Sequence, residues 1–379
     1  MRILVLGGGM IGSAVAFDLA RDAEFAVTVA DVSPERLAAI GERCGARTVH
    51  ADLTRSDSVR TLATDYDLLV GALPSVVGYQ TMAAVIDAGR HYVDISFMAE
   101  DALALDADAR AKGVTVVADC GIAPGVSNMM VGFAAAQLEA CARVDIAVGG
   151  LPRERRWPYE YKAGFAPSDV IEEYVRPSRV VEGGRVVTKP ALSDVELVDV
   201  DGVGTLEAFI TDGLRSLVRT VRADVMQERT LRYPGHAALM RVLREGGFFS
   251  RDPIDVGGQP VRPLDVTSAL LFPRWTFAEG EADLTVMRVL VEGRAAGGAA
   301  ARYEWQLLDF YDPATGFRSM SRTTGFSAAI VARLVARGAF RRPGVCAPET
   351  VGSQAGLLGE VISALRRRGI QVEERVWGR

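Results

Sequence analysis

Met1-Arg-Ile-Leu-Val-Leu-Gly-Gly-Gly-Met-Ile-Gly-Ser-Ala-Val-Ala-Phe17 is the stretch whose reading decides the fold. Its apolar run at 3–6 reads as a buried strand, and Ile11, Val15 and Leu19 recur at helical spacing beyond it. Between the two, Gly7, Gly9 and Gly12 fall at G-x-G-x-x-G spacing. Alone that spacing is weak evidence; between a strand and a helix it reads as a dinucleotide-binding turn. Gly7 permits the tight turn and Gly9 lets backbone approach a pyrophosphate. Gly12, with Ala16 one turn on, lets the helix lie close on the strand. Met10 and Ile11 open that helix, whose free N–H groups and positive end suit a diphosphate.

A second strand, over 26–30, ends at Asp31, 24 residues after Gly7. A carboxylate there accepts hydrogen bonds from the adenosine ribose hydroxyls and repels a 2′-phosphate, so NAD is the expected cofactor. Arg36, close in sequence, argues the other way. Without a ligand the same residues read as a glycine turn and a capping Asp31. Further strands are expected at 46–50, 68–70, 91–93 and 114–118, with helical patterns between them, as at 34–44 and 80–88. Short apolar strands with helical crossovers imply an α/β fold, a doubly wound parallel sheet over residues 1–120.

From about 142 to 312 strands dominate. Residues 179–187 read as a hairpin turning on Gly183-Gly184, and 284–292 pairs with 301–311. A helix is expected at 234–244. This is the pattern of an α+β domain with a largely antiparallel sheet, one face of which needs cover from helices or a second subunit. The chain ends in helical stretches at 326–336 and 354–367 and a short strand at 370–376, all expected to return to the first domain.

Composition narrows the function classes. The 379 residues suit two domains. A net charge of −5 points to neither nucleic acid nor an anionic membrane. No apolar run approaches the ~20 residues of a spanning helix, and the N-terminal run meets glycines at once, so no signal peptide is expected. The 4 cysteines and 3 histidines are scattered, without metal-ligand spacing. A reducing cytoplasm is the expected compartment.

Ligands of open parallel sheets bind beyond the carboxyl ends of the strands. Asp52, after the third strand, reads either as an adenine contact or as a cap for a helix over 54–62. Ala72, Leu73 and Pro74 follow the fourth strand and suit close passage of a ribose or nicotinamide. Asp94 and Ser96 follow the fifth, at the nicotinamide end. Asp119-Cys-Gly-Ile-Ala-Pro-Gly-Val-Ser-Asn128 follows the sixth and joins the domains. There Pro124-Gly125 marks a turn, and Ser127 or Asn128 can cap a helix. Pockets favour domain junctions, so this segment is expected to line the cleft; the plain alternative is a hinge.

With the glycine fingerprint, Tyr92-Val-Asp-Ile-Ser96 and the 119–128 segment, the chain resembles the saccharopine dehydrogenase-like family. Gly149-Gly-Leu-Pro152, Tyr161-Lys162, Glu172-Glu-Tyr174, Thr211-Asp-Gly-Leu-Arg215, Arg229-Thr-Leu-Arg-Tyr-Pro-Gly-His236 and Ser321-Arg-Thr-Thr-Gly325 carry the same resemblance. Within the family it looks most like the NAD-dependent lysine 6-dehydrogenases. The resemblance implies oxidation of the ε-amine of lysine to an imine, hydrolysed to a semialdehyde that cyclises. It also implies a Rossmann domain over 1–120 and a substrate-binding and dimerisation domain over 121–320. Residues 321–379 then complete the first domain, in a homodimer or larger assembly. Saccharopine dehydrogenases, carboxynorspermidine-type enzymes and a non-catalytic NAD-binding protein are the rival readings.

Hydride leaves carbon only when the amine is neutral, so a base must take a proton near the nicotinamide. Asp94, Asp119, Lys162 and His236 are the candidates. Lys162 sits among aromatic residues that can lower its affinity for a proton by desolvation, and His236 stands at a helix start, where the dipole disfavours its charge. Arg215 or Arg232 is expected to grip the α-carboxylate and Asp94 or Glu173 the α-ammonium. Tyr92, Phe97 and Tyr161 are expected along the methylene chain, although aromatic residues more often serve as core.

Overall fold

Strand β1 (Arg2–Leu6) lies at the centre of the first sheet, and Ile3, Leu4, Val5 and Leu6 are wholly buried there. The structure, a computed structural model, describes residues 1–378 and divides into two units, 1–136 with 320–371 and 137–319 with 372–378. In the first unit β1 is followed by α1 (Met10–Leu19), β2 (Ala26–Asp31), α2 (Pro34–Cys44) and β3 (Arg47–His50). Next come α3 (Ser56–Ala63), β4 (Leu68–Gly71), α4 (Ser75–Asp87), β5 (His91–Asp94), α5 (Asp106–Ala111), β6 (Thr115–Val117) and α6 (Val126–Gln137). The strand order is β17-β6-β5-β4-β1-β2-β3, where β17 is Gly344–Cys346, and every pair is parallel. The order reverses between β1 and β4, which makes a ligand crevice at the carboxyl ends of those strands.

The expected parallel sheet is therefore present, with boundaries set by local chemistry. Helix α2 starts where Ser33 accepts from the Arg36 amide, has Pro34 in its first turn, and stops at the left-handed Gly45. Helix α4 begins earlier than 80, directly after Pro74, and the small residues of its first turn hid that start. The Asp52 carboxylate accepts from the Thr54 amide and hydroxyl, an Asx turn that precedes α3.

The second unit holds β7 (Ala140–Pro152), α7 (Pro167–Val175), β8 (Ser178–Glu182), β9 (Arg185–Lys189), β10 (Glu196–Val200) and β11 (Gly204–Ile210). It continues through α8 (Leu217–Thr220), β12 (Ala223–Arg232), α9 (His236–Glu245), β13 (Ile254–Val256) and β14 (Gln259–Val261). Helix α10 (Pro263–Trp275), β15 (Asp283–Arg294) and β16 (Ala300–Phe310) follow. The main sheet runs β10-β11-β12-β7-β15-β16-β18, where β18 is Val372–Trp377, with β8 and β9 attached at β12. Its ladders are antiparallel except β7 with β12, whose long connection allows a parallel crossover. Helices α7, α9 and α10 cover Phe209 of β11 with an apolar cluster around Trp275.

The C-terminal expectations need correction. Helix α11 (Ser319–Ala336) starts before 326, and the helix expected at 354–367 is α13 (Leu357–Arg367), which starts after the left-handed Gly356; a separate short helix, α12 (Pro348–Ser353), precedes it. Of these segments α11, β17, α12 and α13 belong to the first unit. The last strand, β18 (Val372–Trp377), does not: it pairs with β16 in the second. The first unit also extends past 120 to 136, because α6 packs with it.

Asp18 of α1 ties the returning helices in place. It is wholly buried, accepts from Arg333 of α11, and takes two hydrogen bonds from Arg368 at 2.7 and 2.8 Å.

Candidate functional site

At the carboxyl end of β1 the glycines do what their spacing requires. Gly7 has φ +99°, and a Cβ on it would collide with the Ala72 carbonyl. A Cβ on Gly12 would collide with the Gly7 carbonyl, so α1 lies against the turn. Gly9 differs: a Cβ there meets nothing within 4 Å. Helix α1 has no side-chain cap and no acidic residue in its first turn. The turn thus offers open space and uncapped N–H donors, and a diphosphate fits both. Asp31 stands beside it. Its Oδ2 accepts from the Gly8 amide at 2.6 Å and its Oδ1 from Ser33 at 2.8 Å, with Arg36 3.8 Å away.

Further along the same strand ends, Asp94 is the hub of a buried polar cluster. Tyr92 Oη donates to Oδ1 at 2.9 Å, the Ser96 amide donates to Oδ2 at 3.1 Å, and Ser96 Oγ lies 2.8 and 2.7 Å from the two oxygens. A Cβ on Gly71 would strike Tyr92 and Asp94, and one on Gly78 would strike Ser96. Burial pushes the Asp94 carboxyl up, Ser96 and Tyr92 pull it back, Asp119 adds to the rise, and it settles at about 7. Asp119 is buried with a left-handed backbone, φ +50°.

In the second unit β12 and α7 bring Arg232 and Glu173 together at 2.6 Å. The Arg232 guanidinium lies over the Tyr161 ring, 4.6 Å from its centroid, and also donates to the Leu231 carbonyl. Its Nε has no acceptor among the described residues. Burial pushes the Glu173 carboxyl up and Arg232 draws it down, with a net rise. His236 Nδ1 faces the Tyr159 carbonyl at 3.2 Å, so that nitrogen carries the proton and Nε2 accepts from Tyr174 Oη at 2.9 Å. Burial first, and Arg232 second, push the His236 imidazolium down to about 3.

The family model described as Saccharopine dehydrogenase C-terminal domain matches residues 121–370, and the one described as Saccharopine dehydrogenase NADP binding domain matches 3–117. The chain belongs to the saccharopine dehydrogenase family. The alpha-aminoadipic semialdehyde synthase of Bos taurus mitochondria is 20% identical over 97% of this chain and 47% of its own length. The chain thus spans about half the length of the first curated relatives it matches. Saccharopine dehydrogenase [NADP(+), L-glutamate-forming] of Saccharomyces cerevisiae is 19% identical over 92% of this chain and 93% of its own. The carboxynorspermidine synthase of Vibrio cholerae is 23% identical over 91% of both. The apo saccharopine dehydrogenase (L-Glu forming) structure from S. cerevisiae superposes with a TM-score of 0.79, at 17% identity over 100% of each chain, which shows a shared fold.

Within this saccharopine dehydrogenase fold several expected roles change. Lys162 pairs with Glu281 at 2.7 Å and donates to the Thr276 carbonyl at 3.0 Å. His236 is neutral as expected, but both its nitrogens are bonded within the protein, so it orients Tyr174 and is no free base. Tyr92 is wholly buried in the first core and bonded to Asp94. Arg232 and Glu173 pair with each other, and Arg215 is buried with φ +53°. Tyr161 is buried edge-on to Trp275 at 5.4 Å, a core position beneath Arg232, while Phe97 is half-buried. Asp52 is exposed and engaged by Thr54. Asn128 lies inside the first turn of α6, where its Oδ1 accepts from Gly125 and Ser127.

Sequence reasoning missed three residues. Glu207 of β11 accepts from Gly235 at 2.9 Å and from Ala237, and so caps α9 next to His236. Glu281 neutralises Lys162. Glu228 of β12 is buried and accepts from Thr211 Oγ1 at 2.5 Å and the Gly213 amide at 3.1 Å. Each acts across a long sequence separation, which no local pattern marks.

Proposed function

We propose that this protein is an NAD-dependent dehydrogenase that oxidises the ε-amine of L-lysine to the semialdehyde. The observation that carries the redox part is the open N-terminus of α1 at Gly9 with Asp31 beside it. Kinship carries the amine part, because the relatives are dehydrogenases and synthases of C–N substrates. The nicotinamide, when bound, supplies the hydride acceptor. Gly7, Gly9 and Gly12 hold the diphosphate, Met10 and Ile11 flank it, Ala72, Leu73 and Pro74 leave room for the ribose, and Asp31 takes the adenosine hydroxyls.

The reaction needs a neutral amine. Of the four expected proton acceptors, Asp94 suits best, since its carboxyl titrates near neutrality, and the Ser96 hydroxyl bonded to it is the relay. The amine gives its proton to that relay and the carbon gives a hydride, leaving an iminium. Water adds, ammonium leaves, and the aldehyde closes on the α-amine. Arg232, through its unbonded Nε, takes the α-carboxylate.

One observation favours a second reading: the matched N-terminal model and the yeast relative are both described by NADP. Arg36, near Asp31, is the residue such a reading would use. The test is formation of reduced nicotinamide from L-lysine, saccharopine, ornithine and cadaverine, each with NAD and NADP. Lysine turnover with NAD supports the proposal; turnover of saccharopine, or with NADP alone, supports the rival. We also propose a homodimer or higher assembly in a reducing compartment, to be checked by sedimentation.

A further inference from the structure

Strands β1 and β2 pair in parallel, and their carboxyl ends lead into two helix starts of opposite character. The start of α1 is open, with no side-chain cap and no acid in its first turn. The start of α2 is closed. Pro34 has no N–H, the Arg36 amide donates to Ser33 Oγ at 3.3 Å, and the Ser33 hydroxyl donates to Glu35 Oε2 at 2.7 Å. The Ser33 hydroxyl and the Glu35 amide hold the Glu35 carboxyl below its usual range, so it is ionised at neutral pH. The basic side chains beside this turn are engaged as well. Arg36 lies 3.8 Å from Asp31 Oδ2, and His50 Nε2 lies 3.0 Å from the Val32 carbonyl. Asp31 is buried and tied down, with the Gly8 and Ser33 amides on its two oxygens, whereas Glu35 is exposed.

A phosphate on the adenosine 2′-hydroxyl would project past Asp31, the acceptor of that hydroxyl, toward its neighbours Ser33 and Arg36. There it would need a hydroxyl, an amide or a cation. In this chain Glu35 already holds the hydroxyl and sets a second negative charge close to Asp31. We propose that Glu35 is the residue that excludes a 2′-phosphate and so selects NAD over NADP, while Asp31 serves the ribose and the glycine turn alike. This rests on the NAD-dependent reading above and assigns its selectivity to a side chain outside the glycine fingerprint. The division follows from what each carboxylate touches. Removing the Asp31 charge weakens the acceptor of the Gly8 amide, and both coenzymes then lose part of the turn that holds their diphosphate. Removing Glu35 leaves that turn untouched and frees the Ser33 hydroxyl, with Arg36 one helical residue further on. A hydroxyl and a guanidinium side by side are the partners a phosphate takes.

The experiment is fluorescence titration of the protein with NADH and NADPH, joined by calorimetric titration with adenosine 5′-monophosphate and adenosine 2′,5′-bisphosphate. Melting temperature serves as the fold control. The wild type should bind NADH about tenfold or more tightly than NADPH. Glu35→Ala should tighten NADPH and the bisphosphate about tenfold, and shift NADH and the monophosphate less than about twofold. Glu35→Gln, which removes the charge but keeps an acceptor for Ser33, should give a smaller gain. Adding Ser33→Ala to Glu35→Ala should cancel most of the gain, since the phosphate then loses its hydroxyl. Asp31→Asn should weaken both coenzymes. NADPH tightened by Asp31→Asn and indifferent to Glu35→Ala would move the selectivity to Asp31 and overturn the proposal. Equal affinity of the wild type for the two coenzymes would also overturn it, while leaving a dinucleotide-dependent enzyme in place. Failure of the folded protein to bind either coenzyme or either adenylate would instead refute the dinucleotide reading, and the proposal with it.

Discussion

Asp94 and His236 are both buried titratable groups, and they shift stability in opposite directions with pH. The Asp94 carboxyl is raised from 3.8 to about 7, so the folded protein binds the extra proton in that window and its stability falls as pH rises through it. His236 is lowered from 6.5 to about 3, so its contribution is full above 6.5 and is lost as pH falls toward 3. Urea unfolding of His236→Gln should show a flatter loss of stability between pH 6 and 4 than the wild type; an identical slope would remove this role. For catalysis, Asp94→Asn should lower kcat by about a hundredfold or more with NAD affinity retained. The wild-type kcat/KM should rise to a plateau above about pH 7. Unchanged turnover in Asp94→Asn would leave the proton to another group. Lys162→Met should affect stability more than kcat, since Glu281 is left unpaired.

At the scale of the element, the turn from β1 to α1 separates ligand binding from folding. Gly9→Ala places a methyl where nothing stands, so stability should change by less than about 1 kcal/mol while NAD affinity falls. Gly12→Ala meets the Gly7 carbonyl and should damage both. Equal loss of stability in the two variants would contradict the assignment of Gly9 to a ligand. This turn was legible in the sequence because spacing, strand and helix are contiguous, and the same holds for α2 with its Ser33 and Gly45 boundaries. The site of the second unit was only half legible. Arg232, Glu173 and Tyr161 were named for a substrate, yet they pair with one another. Helix α9 is capped by Glu207, nearly thirty residues upstream, and Glu228 stands near Glu173 of α7 and Asp212 after β11. No local pattern encodes those contacts; they follow from strand register.

At the scale of the molecule, the chain returns twice. Helices α11 and α13 rejoin the first unit, and β18 then closes the edge of the second sheet beside β16. Local periodicity identified the last strand but not its sheet, because strand propensity does not name a pairing partner. Asp18 fastens the return through Arg333 and Arg368, all largely buried. Asp18→Ala leaves two buried guanidinium groups without their carboxylate, and should lower the unfolding free energy by about 3–5 kcal/mol. A loss below about 1 kcal/mol in denaturant unfolding would show that the helices dock without the ion pairs. The central claim, hydride transfer from the carbon bearing the ε-amine of lysine to NAD, is tested most directly with lysine dideuterated at that carbon. Mass analysis of the reduced cofactor should find one deuterium per molecule. Unlabelled NADH, or no reduced cofactor at all, would contradict it.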